Sequence, residues 1–136
     1  MIATLLMALA LQNSLDAQAR EHNCDAPMAQ MDMNFCADLD FQRADAELNR
    51  VYRESIAGER QADRELDRTY DQRPSNETVL REAQRAWVAF RDAQCTYEAN
   101  AEARGGSMEP MVDSACRARL TRERIAQLNP PNEAAH

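Results

Sequence analysis

The residues with most scope for chemistry are four cysteines, Cys24, Cys36, Cys95 and Cys116. An even count in a small chain reads as two disulfides once the chain enters an oxidising compartment. None of them forms a C-x-x-C pair, the spacing that tetrahedral zinc sites favour, so no metal site is expected. The histidines are His22 and His136, near the two ends, and neither falls on a predicted element that would fix it for acid–base work. The chain has no Lys, which removes Schiff-base chemistry, and it contains no G-x-x-x-x-G-K, G-x-G-x-x-G or G-x-S-x-G. Carboxylates such as Asp45, Glu47, Glu54 and Asp92 read as solvated helix faces. No catalytic residue and no cofactor is expected, and the chain does not read as an enzyme.

Two other residue types remain. Met28, Met31 and Met33 form one cluster, and Met108 and Met111 another. Thioethers are soft ligands that suit Cu(I), but methionine more often fills irregular cores or adaptable surfaces. Arg91 follows Phe90 and precedes Asp92, beside a Trp87–Phe90 stripe. Its planar fork suits a buried or half-buried carboxylate partner such as Asp45.

Helices must position these residues. Apolar residues recur at helical spacing through Phe41, Ala44, Leu48, Val51, Tyr52, Ile56, Ala62, Leu66 and Tyr70, which predicts a first main helix. Gly58 leaves open one long helix or two segments with a weak joint. Pro74 ends it, and Ser75 or Asn76 can cap the next helix. Leu80, Ala83, Trp87, Phe90, Gln94, Tyr97 and Ala101 step by three or four and define the second helix, with Trp87 and Phe90 on one inward face. Trp87, Phe90, Leu48 and Tyr52 are expected to pack where these two helices cross. Gly105-Gly106 closes the second helix. A loop containing Pro110 follows, and Cys116, Leu120, Ile125 and Leu128 mark a shorter third helix stopped by Pro130-Pro131. The tail from Asn129 to His136 is expected to fray. No stretch alternates with period two, so the expected fold is all-α: a small disulfide-stapled bundle of three main helices.

The chain has 136 residues, the size of one domain. Residues 2–11, IATLLMALAL, form an uncharged apolar run too short to span a bilayer. With Ala17-Gln18-Ala19 as an A-x-A cleavage pattern, residues 1–19 read as a signal peptide and 20–136 as a single mature domain, although no Lys or Arg precedes the apolar run. Acidic residues number 23 against 16 basic, a net charge of −7, which disfavours nucleic acid and favours a basic partner.

The motifs Asp45-x-x-Leu48-Asn49-x-x-Tyr52 and Ala83-Gln84-x-x-Trp87-x-x-Phe90-Arg91-Asp92-x-x-Cys95, with Gly106-Ser107 and Cys116 after them, resemble the LprI-type lysozyme-inhibitor-like domain of exported bacterial proteins. The resemblance covers about residues 24–128. It implies a small, helical, disulfide-bonded protein that binds and inhibits lysozyme-type wall-degrading enzymes. The family's namesake is a lipoprotein, whereas Glu21-His22-Asn23 before Cys24 is no lipid-attachment box, so a soluble periplasmic or secreted protein without a stable membrane anchor is expected. Animal-type lysozymes are basic, and an acidic inhibitor gains steering toward them. The exposed loop Gly105-Gly106-Ser107-Met108-Glu109-Pro110-Met111, near a disulfide, is the candidate binding loop. The alternatives are a helical envelope-stress or scaffold module with another protein partner, or a Met-based Cu(I) binder.

Four cysteines allow three pairings. The Gly105-Gly106 turn lies midway between Cys95 and Cys116, so a helical hairpin brings those sulfurs side by side. That leaves Cys24 to Cys36.

Overall fold

A computed structural model describes residues 2–129. Four α-helices follow in chain order: α1 (Ile2–Glu21), α2 (Gln30–Glu65), α3 (Asn76–Ala103) and α4 (Glu109–Leu128). No strand occurs among the described residues. The fold is all-helical, with one helix more than expected. The extra element, α1, contains the apolar run 2–11, whose uninterrupted helix formers make a helix of it. Pro130, Pro131 and His136 lie outside the described residues.

Helix α2 is a single rod of 36 residues that runs through Gly58 without a break. It also begins eleven residues before Phe41, the first residue of the apolar stripe, and so takes in Cys36. Its inward stripe is Leu39, Ala44, Leu48, Val51 and Ile56. Beyond Ile56 the stripe finds no neighbour: Ala62 faces solvent, Leu66 is 50% exposed and Tyr70 is 98% exposed. The chain turns back there, and the last two of these lie beyond the helix end.

The start of α3 is capped twice. Ser75 Oγ accepts from Thr78 N at 3.2 Å. Asp63, on α2, accepts from the amides of Asn76 at 2.8 Å and Glu77 at 2.9 Å. The four leading N–H groups of a helix lack intrahelical partners, and here a neighbouring helix supplies a carboxylate that also suits the helix dipole. Arg60 reaches across to Glu77 at 2.7 Å and fastens the same corner.

Helices α2, α3 and α4 pack on one another, with α2–α4 the most extensive face, whereas α1 touches α2 alone. Leu15 is the only buried residue of α1. The centre of the bundle is the Cys95–Cys116 disulfide and Leu120, with Trp87 laid against them. The rotation of α3 differs from expectation. Its inward face runs through Gln84, Trp87, Val88, Arg91, Cys95 and Ala99, while Ala83, Phe90, Tyr97 and Ala101 face out. Phe90 is 56% exposed and does not join Leu48 in the core. The disulfide fixes this rotation, because Cys95, fully buried, must face α4.

Candidate functional site

Both expected disulfides are formed. Cys24 and Cys36 have Cα atoms 5.4 Å apart, as do Cys95 and Cys116. The second lies within the α3–α4 hairpin and steadies the turn at its end. That turn is tighter than expected. Gly105 takes a left-handed φ of 75°, Gly106 N donates to Ala103 O at 2.8 Å, and α4 starts at Glu109. Pro110 therefore belongs to the first helical turn, where its missing N–H costs nothing, and Met111 is helical too. Glu109 completes the closure by accepting from Gly105 N at 2.6 Å. The exposed part of the candidate binding loop is Gly105, Gly106, Ser107 and Met108, with Pro110 exposed in the helix behind it.

The N-terminal end of α2 buttresses this turn. Asn34 donates to Ser107 O at 2.9 Å, and Gln30 donates to Met111 Sδ at 3.8 Å. The two methionine clusters thus share one end of the bundle, with Met28 88%, Met31 73% and Met108 47% exposed. An open groove of about 450 Å³ beside the turn is lined by Thr96, Gly106, Glu109, Pro110, Asp113 and Arg117.

Sequence reasoning left His22 without support, but the structure holds it. Its ring stacks on Phe35 at 3.7 Å between centroids, and Nδ1 lies 2.9 Å from Asp32 Oδ1. The turn made by Cys24–Cys36 folds His22 onto α2, a tertiary effect that spacing alone does not show. A His–Asp pair by itself orients an imidazole without supplying a nucleophile.

Three of the motif residues, Asp45, Trp87 and Asp92, meet at Arg91, which is only 7% exposed. Arg91 donates to Asp45 at 3.2 Å, to Asp92 at 3.0 Å and to the fully buried Thr121 at 3.3 Å. Its guanidinium lies over the rings of Phe41 at 5.1 Å and Trp87 at 5.2 Å. Arg117 bridges onward, from Asp92 at 2.7 Å to Asp113 at 2.7 Å. The result is an alternating chain, Asp45–Arg91–Asp92–Arg117–Asp113, that ties α2, α3 and α4 together. Among the described residues no buried side-chain polar atom lacks a hydrogen bond. Guanidinium groups stay charged and only donate, so this network positions helices and performs no proton transfer. On its outer side Arg124 lies 5.9 Å from the Trp87 ring and donates to Gln84 at 2.9 Å. Burial holds its pKa below the ordinary arginine value. Leu48 is buried and Tyr52 half-buried, whereas Asn49, Ala83 and Phe90 of the motif face solvent. The motif is thus part scaffold and part surface.

The bundle is thus locked by two disulfides and by an Arg–Asp chain anchored on the buried Arg91, and it presents a stiff turn at one end. The family model described as Lysozyme inhibitor LprI matches residues 22–128, and the chain belongs to that family. An uncharacterized protein of Rhizobium meliloti (strain 1021) is 47% identical over 120 residues, 88% of this chain and 86% of that protein. No solved structure matches. Among the described residues no helix is long and apolar enough to cross a membrane.

Proposed function

We propose that this chain is exported and that it binds and inhibits lysozyme-type wall-degrading enzymes. One observation carries the reading: the family match spans both disulfides and all of α2, α3 and α4, the whole of the packed bundle. The partner is a protein, and a net charge of −7 suits a basic one.

The turn at 105–108 is the proposed contact with the enzyme. Its backbone is held by Asn34, Glu109 and the Cys95–Cys116 bridge, so it has little conformational freedom left to lose on binding. Residues 1–19 are proposed to be removed on export. Cys24 carries no lipid in this reading, because its sulfur is committed to Cys36.

The test is wall lysis by a purified basic animal lysozyme with increasing amounts of the whole chain. Inhibition should saturate near equimolar protein and weaken as salt rises, since exposed charges are screened over about 10 Å at 0.1 M. A Ser107→Trp, Met108→Asp variant should inhibit less while melting as the parent does. Undiminished lysis at excess protein contradicts the reading, and salt-independent inhibition contradicts the electrostatic part of it.

A further inference from the structure

The outward face of α3 repeats with the period of a helix-pairing seam. Val79, Ala83, Ala86, Phe90, Ala93 and Tyr97 follow one another at intervals of four, three, four, three and four. All six are exposed, Val79 by 50%, Phe90 by 56% and Tyr97 by 67%. Ala89 and Thr96 lie beside them, so this strip itself carries no charge, with the exposed Glu82 and Arg85 off its edges, in a chain where 29% of residues are charged. Helices α2 and α4 pack on the opposite side of α3, and α1 touches only α2. A seam of alternating three and four steps is what one helix presents to another.

We infer that this face pairs with the α3 face of a second copy of the chain, antiparallel about a two-fold axis at Phe90. The spacing is self-complementary in that arrangement. Ala83 and Tyr97 both lie seven residues from Phe90, so each Tyr97 ring meets the small Ala83 of the other copy. Ala86 and Ala93 let the backbones approach, and the two Phe90 rings meet at the axis, where an offset aromatic pair is favourable. A parallel pairing sets Tyr97 against Tyr97 and leaves the alanines facing gaps. Charge points the same way. Two copies each carrying a net charge of −7 repel, and they can approach closely only on a face without charges. A basic partner would be steered to the acidic surfaces instead. An isologous contact of this kind closes after two copies. The seam is roughly 27 Å long at about 1.5 Å per residue, a small interface that should associate weakly and in a concentration-dependent way.

Sedimentation of the whole chain from about 1 µM to about 1 mM tests this association. The expected result is a monomer–dimer equilibrium that Phe90→Glu abolishes without changing the melting temperature of the dilute monomer, whereas Leu5→Glu on the exposed α1 leaves it intact. A second arm fixes the geometry: Phe90→Cys should cross-link to its own copy under oxidation, and Ala83→Cys should not. A chain that stays monomeric throughout, a dimer lost on Leu5→Glu and not on Phe90→Glu, or self-cross-linking at Ala83 overturns the inference. So does a monomer whose lysozyme binding is lost on Phe90→Glu, which assigns the face to that enzyme.

Discussion

Arg91 is the residue on which the bundle is organised. Nearly enclosed, it donates to acids or hydroxyls on three helices and lies over two aromatic rings. Its two carboxylate partners are 40% and 43% exposed, so removing Arg91 leaves them able to rehydrate. Arg91→Met should therefore destabilise by about 2–3 kcal/mol, below the cost of orphaning a fully buried charge. Arg91→Lys should recover only part of this, since an ammonium cannot reproduce the fork; urea unfolding measures both. Glu77 makes a second residue-scale test. Hydrogen bonds from Arg60 and Arg81 hold its carboxyl down at about 2, against an ordinary value of 4.5. A depressed acid contributes stability that is present above the ordinary value and is lost as pH falls through the lowered one. The melting temperature of the parent should thus fall between pH 4.5 and about 2, and Glu77→Gln should flatten that part of the profile. Identical profiles would show that the Arg60–Glu77–Arg81 corner contributes nothing.

At the scale of elements, α3 carries two apolar rows, and only one faces the core. Trp87 packs on the disulfide and Leu120, so Trp87→Ala should cost about 3 kcal/mol, whereas Phe90→Ala should stay within about 0.5 kcal/mol. Thermal unfolding at low concentration, where the chain is monomeric, separates them. Equal losses would place both rings in the core and contradict the rotation seen here. The helical class, the cap at Ser75, the disulfide pairs and the Arg91–Asp45 contact are legible from the residues, whereas α2 stops at Glu65 and not at Pro74. The rotation of α3 is not legible. A hydropathy reading ranks Phe90 and Tyr97 above Arg91 and Gln84, and so selects the wrong row. What turns the helix is the Cys95–Cys116 bond together with a guanidinium that donates to Asp45 and Thr121, groups remote in sequence. Spacing alone also missed the helical start at Gln30, because α2 has no side-chain cap there, and the support of His22 by Phe35, a contact across a turn. Pro110 was read as a loop residue although proline is well suited to a first helical turn.

At the scale of the whole molecule, α1 stands apart. It meets the bundle through Leu15 and an Asp16–Arg43 bridge at 2.8 Å, and it leaves Leu5 69% and Leu6 62% exposed. An apolar helix so weakly attached suits a leader that is removed, so protein recovered from the periplasm or medium should have the mass of residues 20–136 with two disulfides. A mass that retains residues 1–19, or one that includes a lipid on Cys24, would contradict this. The bundle of α2, α3 and α4 is doubly cross-linked and has one stiff turn at its end. The most direct measurement of its role is the residual wall-lysing activity of a purified basic lysozyme at increasing concentrations of the chain. Activity should fall to near zero at about one equivalent in low salt and return as salt is raised. Full lysozyme activity at a large excess of folded, disulfide-intact protein would contradict it.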